Sequence, residues 1–254
     1  MNYFVALAAI LFVYMSLWFV VSLIKKRNDV ADVAWGLGFV VLAWAAVFIS
    51  AGSSMQGILV VLLVTIWGVR LAWHIAARHK GKGEDYRYRV WRETWGAWFY
   101  PRSYLQVYML QGALLFLVAL PIVVIIGATV APNLFTAVGV GVWLLGFAFE
   151  VIGDRQLKQF IKNSADKGKL MTSGLWRYTR HPNYFGEVTL WWGIWLVALS
   201  VPYGWATIVG PLTITFLILK VSGVPLLEKK MAEHPDFAEY KRTTSVFIPW
   251  FKTK

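Results

Sequence analysis

Apolar residues in this chain come in long unbroken blocks, not in the narrow stripe of a soluble amphipathic helix. The blocks fall near residues 3–24, 32–51, 57–77, 105–129, 134–153, 185–201 and 204–222. A helix needs about 20 apolar residues to cross a hydrocarbon core of roughly 30 Å. Each block therefore predicts a transmembrane helix, and together they predict an all-α integral membrane fold of seven spans. The first block, YFVALAAILFVYMSLWFVVSLI, lacks a basic lead-in and exceeds a signal-peptide core, so it reads as a retained helix. With no repeat or low-complexity linker between blocks, one polytopic domain over residues 1–254 is expected.

The polar connections alternate in charge. Lys25, Lys26 and Arg27 follow the first block, and Arg78, Lys80, Lys82, Arg87, Arg89, Arg92 and Arg102 follow the third. A basic set from Arg155 to Arg180 follows the fifth, and Lys229, Lys230, Lys241, Arg242, Lys252 and Lys254 follow the last. The remaining connections, around AGSSMQ, ATVAPN and SVPYG, carry no lysine or arginine. Under the positive-inside rule the N-terminus lies outside and the C-terminus in the cytoplasm, which requires an odd number of spans.

Composition narrows the classes. The chain is 58% hydrophobic and 15% charged, with a net charge of +12 gathered on the connections of one membrane face. Such a face attracts anionic membrane lipids by about 1 kcal/mol per basic residue. Basic residues confined to short interhelical loops argue against a nucleic-acid partner. With no cysteine, disulfides and thiolate metal sites are excluded, and the four histidines lack metal-ligand spacing. GxGxxG is absent, which disfavours a soluble dinucleotide fold.

Charges inside a span normally face a cavity or a partner, because an unpaired one costs at least a few kcal/mol. Asp29 and Asp32, in RNDVADVAWGLGF, share a helix face where the second span begins. They suit an interfacial cap or salt bridge, or, for the deeper Asp32, a proton donor to a lipid-like substrate. Arg70, His74 and Arg78 recur every four residues and form a basic stripe suited to an anionic ligand or to a partner such as Glu150. Glu150, Asp154 and Lys158 repeat the spacing in the fifth block, where the carboxylates can pair with Arg70 or His74 or accept from ribose hydroxyls or an adenine amine. The densest polar segment is RYTRHPNYFGE, residues 177–187, just ahead of LWWGIWLVAL. A headgroup anchor explains its arginines and tyrosines but not Asn183 and Glu187. A helix starting near Pro182 would offer arginines and backbone N–H groups to phosphate, with Asn183 and Glu187 on a flat heteroaromatic ring.

SGLWRYTRHPNYFGEVTLWWG resembles the C-terminal signature, here about residues 130–254, of the steroid 5-alpha-reductase family, closest to its bacterial DUF1295 branch. DVAWGLGF, RLAWHIAARHKGKGEDYRY, EVIGDRQL and FIPWF follow the family's order. The Arg-His-Pro-x-Tyr core is shared with isoprenylcysteine carboxyl methyltransferases. The resemblance implies seven helices enclosing NADPH, which enters from the cytosolic side of what would be a bacterial inner membrane. It further implies hydride transfer to an activated C=C bond of a lipophilic enone. Carried over by position, Asn183 and Glu187 match the nicotinamide-side pair, Asp154 an acid at the adenosine, and Glu150 a family asparagine. Arg78 matches the basic connection that meets cofactor phosphates, Lys169 stands near a family arginine, and Tyr178, Arg180, His181 and Tyr184 fall within the motif. Asp32, assisted by Arg70 or His74, is the expected group stabilising the enolate oxygen. The resemblance breaks where Trp67 replaces a family tyrosine and where a late arginine and histidine are replaced near Val224 and Glu228. A monomer acting on a steroid-like or other lipophilic small molecule is expected. The rival is an S-adenosylmethionine-dependent methyltransferase using Arg180, His181, Tyr184 and a late acid such as Glu228, and a third reading is a non-catalytic lipid binder.

Overall fold

A computed structural model describes residues 2–50, 54–163, 166 and 168–252. Residues 51–53 of the AGSSMQ connection, Lys167 and Lys254 lie outside the described residues. The described chain is helical, its only β-type pairing a lone bridge between Thr179 and Ser245. Among the described residues six helical stretches are long and apolar enough to cross a membrane, and the protein is an integral membrane protein. These are α1 (Tyr3–Lys25), α2 (Val30–Ile49), α3 (Met55–His79), the stretch Tyr86–Ile126, α7 (Leu134–Lys162) and the stretch Gly204–Met231.

In the stretch Tyr86–Ile126 the charged connection through Arg102 is itself helical and runs on into the apolar helix that follows. The stretch contains α4 (Tyr86–Trp95), a 3-10 turn, α5 (Phe99–Arg102), a π-helical segment Ser103–Met109 and α6 (Leu110–Ile126). Helix α4 starts just after Asp85, whose carboxylate caps it by accepting the Arg87 N–H at 3.0 Å, and its arginines are good helix formers. It ends at Gly96, whose φ of +50° favours a residue without a Cβ. The segment expected as the sixth span forms α8 (Pro182–Ala198), with proline in its first turn; its 17 residues cover about 26 Å, and it is not one of the six stretches above. After it come a 3-10 segment Gly204–Ile208, α9 (Val209–Phe216), a π-helical Leu217–Val221, α10 (Val224–Met231) and α11 (Phe237–Thr243).

The chain divides into two compact units. The first holds Met1–Pro132 and Val201–Val209. In it α2 and α3 touch backbone to backbone, since a Cβ on Gly36 would lie 2.8 Å from the Gly68 carbonyl oxygen. Beside this contact Trp67, 1% exposed, packs edge-to-face on Phe39 at 5.5 Å. The Tyr14 hydroxyl donates to the Ala34 carbonyl at 2.8 Å and ties α1 to α2.

The second unit holds Asn133–Ser200 and Gly210–Lys254 and is built on the α7–α8 pair. Gly139 and Gly146 on α7 face Gly193 and Gly186 on α8; a Cβ on Gly139 would sit 2.6 Å from the Gly193 oxygen, and one on Gly146 2.6 Å from the Gly186 oxygen. Lipid tails are as apolar as leucine, so close van der Waals contact between small residues is what drives such helices together. The seam continues to Gly153, where a Cβ would lie 3.1 Å from the Asn183 nitrogen, and so brings the start of α8 onto α7.

Candidate functional site

In the second unit, residues 176–183 run between α7 and the C-terminal segment. The Trp176 indole donates to the Gly153 carbonyl at 3.2 Å, and the Leu175 N–H to Gln156 Oε1 at 3.0 Å. On the other side the Tyr240 hydroxyl donates to the Trp176 carbonyl at 2.6 Å, the Arg180 N–H to the Ser245 carbonyl at 2.9 Å and the Trp250 N–H to the Tyr178 carbonyl at 2.9 Å. The segment is held on both sides before α8 begins.

Arg180 is buried, 4% exposed, and its guanidinium acts as a clamp. Nε and Nη2 meet Glu228 Oε1 at 2.8 and 2.7 Å, while Nη1 donates to the carbonyls of Lys241 and Thr244. Of the five guanidinium donors this leaves about one N–H for anything else. His181 is fully buried; its Nε2 lies 3.3 Å from Glu228 Oε1 and its ring stacks on Tyr184 at 5.7 Å. Burial pushes the His181 imidazole below its ordinary pKa, outweighing the hydrogen bond and field of Glu228 that pull the other way.

Asn183 donates from Nδ2 to Asp154 Oδ1 at 3.2 Å, so the carboxylate fixes which end of the amide faces α7. Its Oδ1 is buried and has no partner among the described residues. Glu187 and Tyr184 are half-buried further along α8, while Glu150, 3% exposed, lies on α7 where Gly186 makes its closest approach. Tyr178 and Lys169 are exposed, Lys169 lying 3.5 Å from Asp166. The motif residues Arg180, His181, Asn183 and Tyr184 thus form one cluster with Asp154 and Glu228, with Tyr178 on the exposed side of the same segment, while the contact of Lys169 is with Asp166.

The other predicted residues belong to the first unit. Arg70 and His74 are half-buried on α3, and Arg78 is exposed at its end. Asp32 accepts from the Tyr88 hydroxyl at 3.0 Å and from Arg87 Nη2 at 3.2 Å. Asp29 accepts from Arg27 at 2.6 and 2.7 Å and from the Asp85 N–H at 2.9 Å, and Glu84 accepts from the Asn28 N–H and from Arg92. Burial pushes the Asp29 carboxyl up, but the bonds from Arg27 and Asp85 and the fields of His79 and Arg27 hold it below its ordinary value. Tyr88, Arg87 and Glu84 were not among the predicted site residues. The signal available was GKGEDYRY, an acidic pair after glycines and ahead of alternating aromatic and basic residues.

The profile of a family described as "Protein of unknown function (DUF1295)" matches residues 18–244. The bovine 3-oxo-5-alpha-steroid 4-dehydrogenase 1 is 30% identical over 112 residues, 44% of this chain and 40% of the bovine protein. Its human counterpart is 28% identical over 118 residues, again 44% and 40%. An uncharacterized protein of Schizosaccharomyces pombe is 23% identical over 202 residues, 69% of this chain and 59% of that protein. The matches thus span about 40% of the length of the steroid dehydrogenases. No solved structure matches.

Proposed function

Because this chain belongs to the DUF1295 family of steroid 5-alpha-reductase-like proteins, we propose that it is a membrane reductase that uses NADPH to saturate an activated C=C bond in a lipophilic enone. The observation that carries the reading is Asn183: one end of its amide is fixed by Asp154, and the other presents a buried acceptor with no partner among the described residues. A nicotinamide carboxamide has the N–H donors such an acceptor needs, so the residues present fit the cofactor. When bound, NADPH supplies the hydride, and the protein supplies position and electrostatics.

In this reading Asn183 and Glu187 orient the nicotinamide end, Asp154 and Glu150 serve the nucleoside, and Tyr178, Tyr184 and Lys169 border the site. Arg78 is assigned to the phosphates. Arg180 holds the binding segment in shape through Glu228 and the carbonyls of Lys241 and Thr244. In the first unit the carboxylate of Asp32 orients the Tyr88 hydroxyl, and that pair, with Arg70 and His74 on α3, is the proposed source of hydrogen bonding to an enone oxygen. It supplies a phenol that Trp67, packed on Phe39, does not. Seven spans, with α8 crossing, a cytoplasmic cofactor site and a monomer complete the proposal.

Methyl transfer is the competing chemistry, favoured by the convergence of Arg180 and His181 on Glu228. Thermal stabilisation of the purified protein by each cofactor separates the two. NADPH is expected to raise the melting temperature of the wild type and to lose most of that effect in Asn183→Leu. Stabilisation by S-adenosylhomocysteine and not by NADPH overturns the reductase reading.

A further inference from the structure

His181 carries more information than its place in the motif. Its side chain is fully buried, and the charged groups acting on it are Glu228 on α10 and its neighbour Arg180. At 3.3 Å from a carboxylate oxygen, which can only accept, Nε2 must carry the proton. In the neutral ring Nδ1 is then a bare acceptor, and burial favours the neutral ring. Nδ1 is itself buried and has no hydrogen-bond partner among the described residues, as with Asn183 Oδ1 two residues on. A buried acceptor left unmatched is costly, and two of them in one short segment point to donors arriving from a ligand.

We propose that Glu228 is a positioning residue that locks His181 in the Nε2–H tautomer, so that Nδ1 accepts a hydrogen bond from an N–H or O–H of the bound nucleotide cofactor. The proposal rests on the reductase reading and sharpens it. His181 then meets a carboxamide N–H or a ribose hydroxyl and not a phosphate, which has no donor to offer a bare nitrogen. Arg180, consumed by the same carboxylate, is part of the lock. Tyr184 adds a flat ring against the imidazole and restricts its rotation.

The test is nitrogen NMR of the full-length protein in detergent, labelled with 15N at histidine and assigned with His181→Phe. The expected spectrum shows one protonated and one bare ring nitrogen, the bare one moving toward hydrogen-bonded values on addition of NADP⁺. The analogue in which a carboxylate replaces the carboxamide tells the donors apart. A shift with both ligands assigns a ribose hydroxyl, and a shift with NADP⁺ alone assigns the carboxamide. His181→Phe keeps a flat ring against Tyr184 and leaves Arg180 on Glu228, so its dissociation constant for NADP⁺ should rise roughly tenfold with the ligand-free melting temperature held. In Glu228→Gln the amide accommodates either tautomer, and the bare-nitrogen signal should lose its single position. NADP⁺ binding that leaves Nδ1 unmoved, or an unchanged constant in His181→Phe, overturns the inference while sparing the reductase reading. Failure of the wild type to bind NADP⁺ overturns both.

Discussion

Asp29 has a side chain 1% exposed, with both oxygens taken up by Arg27 and the Asp85 N–H. Removing one partner of a buried pair costs about 3–5 kcal/mol, but Arg27 is 24% exposed and recovers some hydration when orphaned. Asp29→Asn should therefore cost about 2 kcal/mol, read as a lower melting temperature in detergent. The pH dependence follows from the sign of the shift. With its folded pKa held below the unfolded value, the carboxyl contributes stability that is present above the unfolded value of about 3.9 and is lost as pH falls through the folded one. Melting temperatures taken from about pH 6 downward should fall on the acid side, and Asp29→Asn should flatten that fall. An equally steep acid limb in the variant would remove Asp29 from the account. A salt bridge to a neighbouring basic residue was legible beside Asp29; that Arg27 makes it, and that the Asp85 N–H joins it, only the folded turn decided.

At the scale of elements, the contact between α7 and α8 depends on glycines whose spacing was visible from the start but whose purpose was not. Gly139, Gly146 and Gly153 recur every seven residues, as do Gly186 and Gly193, the spacing that keeps one helix face toward a neighbour. A Cβ on Gly146 would lie 2.5 Å from the Leu190 nitrogen, so both helices would have to part. Gly146→Val should destabilise the protein by about 3 kcal/mol or more, since overpacking between two backbones has no flexible side chain to absorb it. Gly141 on the same helix meets nothing within 4 Å, so Gly141→Ala should leave the melting temperature unchanged or slightly raised. Equal melting temperatures in the two variants would show that close glycine packing does not hold this pair. Helix α4 marks the opposite limit. Its arginines and aromatics carry no apolar block, so hydropathy marked a connection without revealing that it is helical, and the Asp85 cap fixes where that helix starts.

For the whole molecule, the question that separates six crossings from seven is α8, whose 17 residues are near the shortest length that spans a bilayer. The protein contains no cysteine, so single-cysteine variants report without background. With a membrane-impermeant maleimide, Lys82→Cys and Arg177→Cys should label from the cytoplasmic face. Tyr203→Cys, at a residue 81% exposed, should label from the opposite one. Labelling of Tyr203→Cys and Arg177→Cys from the same side would make α8 a re-entrant element. The basic clusters predict the first outcome, because short loops rich in lysine and arginine are retained in the cytoplasm.

The sequence by itself determined the membrane class, the helical architecture, the rough limits of the apolar helices and the family signature around Asn183 and Glu187. It could do so because burial in hydrocarbon is a sum over neighbouring residues and a motif is a local string. Only the tertiary structure decided which polar groups meet. Tyr88 reaches Asp32 from 56 residues away, and Arg180 reaches Glu228 across 48. Such pairings depend on how turns, caps and glycine contacts bring distant backbones together, and single-residue hydropathy contains no term for that geometry. The same geometry drew Arg180 into a clamp with Glu228 and left His181 Nδ1 and Asn183 Oδ1 as buried acceptors, because a fixed carboxylate satisfies donors on one side of each group and leaves the other side bare.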